Sequence, residues 1–293
     1  MKTSESLLIG AFDIHIHAGP DIVPRKMDAV DLVSEARDVG MAGILIKDHV
    51  KPTSDRAYML SRLFPDIQVF GALALNYTVG GINLHAVRAA VRSDVKQIYM
   101  PTFSAAHDIR QGGGVRESYR DLVPQNEDVG IKIVDNEGNF MRALNEILKT
   151  VAESDTILGT GHISPHESLG LIKRARALGV DKILVTHPMS HSVDMPLKDQ
   201  KEAVSMGAII EHCYFACTPL ACSEPLEALR KMAAQIQAVG PGNCIMSTDL
   251  GQSQNISPVE GMKEFIEKML SCGISEEQID IMIRKNPKKI LGL

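Results

Sequence analysis

The strongest constraint on the fold is a regular alternation of short apolar runs with longer helical patterns along all 293 residues. The short runs are typical of buried strands, and the longer ones carry apolar residues at helical spacing. Strands are predicted near residues 9–16, 43–49, 67–74, 95–100, 156–161, 182–187, 207–213 and 243–249. Helices are predicted near residues 27–39, 53–63, 82–92, 140–152, 166–178, 198–206, 224–238 and 258–271. Eight such repeats predict an α/β fold, a single TIM-like (β/α)8 barrel of parallel strands.

The chain is predicted to form one domain, residues 1–293, because no linker or composition break separates its halves. A doubly wound sheet is the alternative, but it usually has fewer strands and a glycine-rich phosphate turn after the first one. Residues 101–139 interrupt the alternation after the fourth strand. We interpret this insertion as a mobile loop followed by a hairpin that turns at residues 136–138. It forms either a lid on the catalytic face or a solvated surface excursion.

Composition excludes several classes of protein. With 44% hydrophobic and 23% charged residues, the chain has a soluble globular profile. A net charge of -5 without long charge runs, and the absence of Trp, argue against nucleic acid as a partner. The apolar run 7–12 is too short to span a membrane and is interpreted as a buried strand. Five cysteines without paired spacing or a secretory signal predict a cytoplasmic protein.

Histidines and one aspartate occur where predicted strands end. His15 and His17 alternate along the first strand, so both side chains point to the same side. The carboxyl ends of barrel strands converge on one face, where active sites are built. Six side chains at these ends therefore predict one metal site, made of His15, His17, His49, His162, His187 and Asp249.

These residues carry a family resemblance. The H-x-H motif at His15 and His17, together with His162, His187 and Asp249, resembles the amidohydrolase superfamily of metal-dependent hydrolases. The tail at residues 286–293, which reads N-P-K-K-I-L-G-L, is similar to an ending frequent in that superfamily. The resemblance extends over nearly the whole chain and implies a barrel with metal chemistry, without defining the substrate. One departure is the fourth strand, which offers no lysine or glutamate at its end to bridge two metals.

The N-terminal part also resembles the polymerase and histidinol phosphatase (PHP) family. There, a D-x-H-x-H strand is followed by a strand ending in Asp-His, as Asp48 and His49 do here. The resemblance implies that His49 is a ligand too. The third strand lacks that family's bridging glutamate, and no histidine stands two positions after Asp249. We therefore favour a mononuclear site, or a second metal held partly by His49.

Imidazole and carboxylate ligands suit Zn²⁺, with Mn²⁺ or Fe²⁺ as alternatives, at one or two ions per chain. Such an ion activates water for hydrolysis near neutral pH. Asp249 is predicted to act as general base and then acid, and His187 as a second-metal ligand or a group that polarises the oxyanion. Lys47 is either an anchor for an anionic substrate group or a structural residue paired with Asp48 or Asp13.

Other polar residues have weaker patterns. Arg25 and His191 are candidate substrate contacts. Ser164 and Glu167 form the pattern of a helix capping box. We interpret the cysteines at 213, 217 and 222 as small buried hydrophobes rather than as a thiolate metal cluster with Glu211 and His212.

The sequence thus predicts a metal-dependent hydrolase that cleaves an amide, lactone or ester bond in a small polar molecule. The alternatives are a PHP-type phosphoesterase, a non-oxidative decarboxylase of the amidohydrolase type, and a barrel that binds its ligand without turnover. The predicted partner is a small-molecule substrate, with no nucleic acid and no membrane. Assembly into a homo-oligomer is compatible with the sequence.

Overall fold

The computed structural model describes residues 4–112, 122, 130–135 and 139–293. It contains eight strands, β1 (Phe12–Ile16), β2 (Gly43–Ile46), β3 (Gln68–Ala74), β4 (Gln97–Tyr99), β5 (Ile157–Gly159), β6 (Ile183–Val185), β7 (Ile209–Cys213) and β8 (Cys244–Ser247). They follow one another in sequential order in one sheet. Each neighbouring pair from β1 to β7 is parallel, and Ile16 forms a parallel bridge with Leu250 just after β8. This topology confirms the predicted (β/α)8 barrel.

Helices separate the strands as the sequence predicts. They are α1 (Ser4–Leu8), α2 (Ala29–Asp38), α3 (Ser54–Leu63), α4 (Leu84–Arg92), α5 (Ala106–Gln111), α6 (Arg142–Ala152), α7 (Pro165–Ala177), α8 (Leu197–Ser205), α9 (Pro225–Val239), α10 (Pro258–Ser271), α11 (Glu276–Asp280) and α12 (Asn286–Leu291). A π-helical turn, Ile281–Lys285, joins the last two. Within the described ranges, none of these helices combines the length and the apolar character that crossing a bilayer requires.

Two local predictions need correction. Leu7 and Leu8 belong to α1, and the first strand begins only at Phe12. The reason is Gly10, whose φ of +79° ends the helical turn and separates it from the strand. The predicted loop after β4 also contains a helix, α5, which ends at Gly112 with φ +72°.

The rest of the insertion is only partly described. Val134 and Phe140 form an antiparallel bridge on either side of the predicted hairpin turn. The turn itself lies outside the described residues, at positions 136–138. The same holds for positions 113–121 and 123–129. The proposed lid therefore stays a prediction.

Helix starts follow from local chemistry. Asp28 accepts hydrogen bonds from the backbone N–H groups of Val30 and Asp31 at the start of α2. The predicted capping box of α7 is present, with Ser164 and Glu167 each accepting a backbone N–H from the other. On the same helix, Leu171 and Ile172 are completely buried, so capping and an apolar face together define α7.

Internal contacts divide the chain into two compact units. The terminal unit comprises Met1–Lys47, Asp55–Gly71 and Glu211–Leu293, and the middle unit comprises Asp48–Ser54 and Ala72–Ile210. Each unit has its own buried apolar residues: Phe265 and Met269 of α10 in the terminal unit, and Ile147 and Leu148 of α6 in the middle unit. The prediction of a single domain stays a prediction.

Candidate metal centre

The terminal unit brings the two histidines of the H-x-H motif against one carboxylate. Nε2 of His15 lies 3.2 Å from Oδ1 of Asp249, and Nε2 of His17 lies 3.1 Å from the same oxygen. The two imidazole rings are buried, with their centroids 5.7 Å apart. Two nitrogens and one oxygen thus converge from β1 and from the segment after β8.

Backbone hydrogen bonds hold these two segments together. The N–H of Asp249 donates to the carbonyl oxygen of His15 at 2.8 Å, and the N–H of His17 donates to that of Leu250 at 2.8 Å. Asp249 has a φ of +53°, a conformation that non-glycine residues rarely adopt and that is often found at functional sites. Two positions after Asp249, Gly251 has a φ of +135°, and a Cβ there would overlap the carbonyl oxygen of His17. The close approach of the two segments therefore requires glycine at 251.

Two basic side chains lie beside the histidines. Lys47 directly follows β2, is buried, and places Nζ 3.1 Å from Nε2 of His15. Burial lowers the pKa of Lys47, while the charges of Asp249 and Glu211 oppose that shift. Both sequence-based roles of Lys47, as a substrate anchor or as a partner of Asp48 or Asp13, stay predictions.

The second basic side chain, Arg25, lies next to Nδ1 of His17, whereas Asp249 lies next to Nε2 of the same ring. Its Nη2 lies 3.5 Å from Nδ1 of His17 and 2.6 Å from Oδ2 of Asp21. Burial lowers the pKa of His17 to about 3, and the charge of Arg25 adds to this shift, while Asp249 opposes it. The His17 ring is therefore neutral at physiological pH, the form in which imidazole binds metal ions.

Sequence reasoning missed two buried carboxylates beside His15. Oε2 of Glu211, on β7, lies 3.0 Å from Nδ1 of His15, and Sγ of Cys213 lies 3.7 Å from the same nitrogen. Asp13 accepts hydrogen bonds from the backbone N–H and the hydroxyl of Thr248, at 3.0 and 2.6 Å. Burial raises the pKa of Asp13 to about 7 despite these bonds. The only sequence signal for Asp13 was its place in the D-x-H-x-H strand.

The sequence signal for Glu211 was weaker than that for Asp13. It consisted only of the position of Glu211 in a predicted strand, next to His212 and Cys213. All five cysteines are free thiols. Burial raises the pKa of the Cys213 thiol well above its usual value. Cys213 and Cys217 are buried, as expected of small hydrophobes, whereas Cys222 is partly exposed.

The middle unit gathers three of the other predicted ligands. The ring centroids of His162 and His187 lie 4.8 Å apart, and those of His49 and His162 lie 6.2 Å apart. Nδ1 of His49 lies 2.9 Å from the hydroxyl of Thr102, which also accepts a hydrogen bond from the side chain of Asn76. All three imidazoles are buried. His187 has a φ of +24°, a second strained backbone position at a predicted site residue.

One further carboxylate of the middle unit was missed. Oδ1 of Asp108, in α5, lies 3.6 Å from Nδ1 of His162, and the Asp108 side chain is buried. Asp108 carried no sequence signal, because the segment was interpreted as a loop. The other predicted substrate contact, His191, is exposed, with Nε2 2.6 Å from the carbonyl oxygen of Gln111.

Solved structures with similar folds include proteins named as an amidohydrolase, an organophosphorus hydrolase and a probable dipeptidase. An amidohydrolase from Pseudomonas aeruginosa superimposes with a TM-score of 0.69 at 10% identity, covering 99% of this chain and 98% of that chain. An organophosphorus hydrolase from Deinococcus radiodurans gives 0.64 at 12% identity, covering 97% and 93%. A probable dipeptidase from Pseudomonas aeruginosa gives 0.63 at 11% identity, covering 99% and 96%. This chain therefore shares its overall fold with these three enzymes.

The chain belongs to the family of unknown function DUF6282, whose model matches residues 10–211. Among curated proteins, none matches the sequence. The resemblance of the N-terminal part to the PHP family finds no support in these comparisons. At identities this low, similarity of structure establishes the fold alone, so the function has to be argued from the residues of the site.

Proposed function

We propose that this protein is a metal-dependent hydrolase that cleaves an amide, lactone or ester bond in a small polar molecule. The observation that carries the proposal is the convergence of Nε2 of His15 and Nε2 of His17 on Oδ1 of Asp249, at 3.2 and 3.1 Å. The similar folds of an amidohydrolase and an organophosphorus hydrolase support it.

The donor atoms fit a divalent ion. Two imidazole nitrogens and one carboxylate oxygen are ligands that Zn²⁺ commonly takes in catalytic sites, and Mn²⁺ or Fe²⁺ is an alternative. His15, His17 and Asp249 would hold the ion in the terminal unit. When bound, it would supply an activated water for hydrolysis and a positive charge against the scissile group.

The side chains of the terminal unit supply the remaining chemistry. The Asp249 carboxylate accepts a proton from the attacking water and returns it to the leaving group. The Lys47 ammonium group and the Arg25 guanidinium group, beside His15 and His17, bind an anionic group of the substrate. Because both cations are largely buried, their attraction for an anion is screened less than at the surface.

In the middle unit, His49, His162 and His187 keep their predicted roles as metal ligands, with His187 as an alternative polariser of the oxyanion. Asp108 adds a carboxylate to this set. A second ion per chain would be held here. His191 keeps its predicted role as a substrate contact.

A second candidate is a metal-dependent decarboxylase, which the placement of Lys47 and Arg25 favours. A decarboxylase must clamp the carboxylate that it releases, and both residues carry a cation next to the H-x-H motif. Release of CO₂ from a carboxylic acid substrate, without net consumption of water, would identify this reaction.

Metal analysis tests the proposal most directly. Purified protein is expected to contain about one or two equivalents of a divalent transition metal, because the donor set matches such ions. His15→Ala combined with His17→Ala should lose the metal of the terminal unit. The control variant His85→Ala with His166→Ala removes two exposed histidines and should keep the metal.

A metal content below about a tenth of an equivalent, after reconstitution with excess zinc, would overturn the proposal. Equal metal contents in the H-x-H variant and in the control would refute the ligand assignment. A stoichiometry near three ions per chain would instead favour the phosphoesterase alternative. Turnover of lactone, ester and amide panels by the loaded enzyme then assigns the bond type.

The remaining expectations rest on the sequence. The cytoplasmic location is proposed from the cysteine composition, and a small molecule is the proposed partner, with no nucleic acid and no membrane. Homo-oligomer formation is left to solution measurement.

A further inference from the structure

Behind His15, on the side away from Asp249, the terminal unit buries a carboxylate that the proposed chemistry does not use. The Glu211 side chain is completely buried, and its Oε2 lies 3.0 Å from Nδ1 of His15. Its other oxygen, Oε1, has no hydrogen-bond partner among the described residues. Burying a carboxylate is unfavourable unless a partner compensates, and the hydrogen bond with His15 supplies such a partner.

This contact determines what the other ring nitrogen can do. A neutral imidazole carries one proton, and a carboxylate only accepts hydrogen bonds. The hydrogen bond to Glu211 therefore requires the proton on Nδ1, which leaves a lone pair on Nε2, the nitrogen that Lys47 and Asp249 both face. The lone pair on Nε2 is the one that a metal ion needs.

We propose that Glu211 is a positioning residue that fixes His15 in the Nδ1-protonated tautomer and orients its Nε2 toward a divalent ion. This inference rests on the proposed function, because it assigns a supporting residue to the same centre. Glu211 lies 196 residues from His15 in sequence, so the tertiary fold brings the carboxylate to the ring. Cys213, 3.7 Å from the same nitrogen, remains a neutral neighbour and not a ligand.

The test compares zinc affinity of the full-length protein by competition with a chelator. Glu211→Gln keeps the size of the side chain and an acceptor oxygen but removes the charge, and Glu211→Ala removes both. The affinity should fall by about 10- to 100-fold in these variants, as for other groups that support a metal ligand. Glu264→Gln is the matched control, since Glu264 accepts a hydrogen bond from the Tyr214 hydroxyl at 2.5 Å in the same unit. The control should bind zinc like the wild type.

Two spectroscopic measurements separate positioning from a merely structural role. In ¹⁵N histidine NMR of the zinc-loaded protein, His15 should carry its proton on Nδ1, and Glu211→Ala should lose this single tautomer. In the cobalt-substituted protein, no thiolate-to-cobalt charge-transfer band should appear. Such a band would show that Cys213 binds the ion and would overturn the positioning role.

The outcomes distinguish this inference from the function on which it rests. Absence of zinc binding by the wild type would overturn the proposed function and the role of Glu211 together. Wild-type zinc affinity in both Glu211 variants, with normal binding by the control, would overturn the role of Glu211 alone. If Glu211→Ala does not fold, the nearly isosteric Glu211→Gln variant still decides the question.

Discussion

At the scale of single residues, the candidate site is an arrangement of buried groups whose burial shifts their chemistry. His17 is kept neutral by burial and by Arg25, while the carboxylate of Asp249 faces both imidazoles. Such shifts are typical of functional sites, although buried structural groups show them as well. The residue that combines a strained backbone with a central position is Asp249, and the first prediction concerns its carboxylate.

Asp249→Asn should reduce turnover of any substrate identified in the hydrolysis panels by about 10²- to 10⁴-fold, because an amide cannot accept and return the proton. Steady-state kinetics of the zinc-loaded variant measures this loss. Its control is Asp194→Asn, which changes another aspartate with a positive φ, +45°. A rate like that of the wild type would refute the proton-transfer role.

His212 allows a prediction about stability and pH. Its ring is fully buried on β7, neither ring nitrogen has a hydrogen-bond partner among the described residues, and burial lowers its pKa from 6.5 to about 3. Between these two pH values the unfolded chain binds the proton that the folded chain excludes, so stability falls as pH drops below 6.5. The wild type should lose about 2 kcal/mol from this group between pH 7 and pH 5.

The variant His212→Leu should not show this loss, because leucine does not titrate and leaves no buried polar atom unpaired. Urea unfolding at pH 7 and pH 5 measures the difference. His85→Leu, at an exposed histidine, is the control and should keep the pH dependence of the wild type. Parallel pH profiles for the wild type and His212→Leu would contradict the prediction.

At the scale of elements, the periodicity of the sequence predicted the strands and the longer helices correctly. All eight predicted strands and eight predicted helices are present, because alternation and helical spacing are local properties of the chain. Short elements were missed: α1, α5, α11 and α12 have five or six residues each, too few for a periodic pattern to develop. Isolated helices this short are marginally stable in water, so packing contributes to their formation.

The segment after β8 gives a prediction at this scale. Gly251→Ala should destabilise the protein by at least about 2 kcal/mol, since alanine at φ +135° is strained and its Cβ would overlap the His17 carbonyl. The same displacement should weaken zinc binding through His17. Gly242→Ala is the control, because a Cβ there meets no atom within 4 Å. Denaturant unfolding measures the free energy of unfolding of both variants. Equal values for Gly251→Ala and Gly242→Ala would contradict the prediction and show that the backbone at 251 accommodates a Cβ.

At the scale of the whole molecule, the connectivity explains why composition carries no sign of the two compact units. β3 and β7 each contribute residues to both compact units, so the unit boundaries fall inside elements rather than in linkers. Composition alone detects a domain boundary only where a linker interrupts the pattern.

Metal binding should be visible in the stability of the whole chain. A ligand that binds only the folded state stabilises it by about 2.7 kcal/mol at a concentration 100-fold above its Kd. Zinc should therefore raise the thermal midpoint of the wild type, and a chelator should lower it. The variant that lacks His15 and His17 should respond less to both, as differential scanning calorimetry would show. Identical midpoints with zinc and with chelator would contradict the proposed centre.

The sequence by itself determined the order of the elements, the fold class and the residue types at the strand ends. The periods of strands and helices, two and 3.6 residues, depend only on neighbouring positions in the sequence. An H-x-H motif in a strand likewise places two imidazoles on the same side whatever the rest of the chain does. Only the tertiary structure decided which nitrogen of His15 faces Asp249, that Lys47 contacts that same nitrogen, and that Glu211 lies behind the ring. The physical reason is that these contacts join residues 32 to 234 positions apart, and their distances depend on strand register and on strained turns that no local pattern encodes.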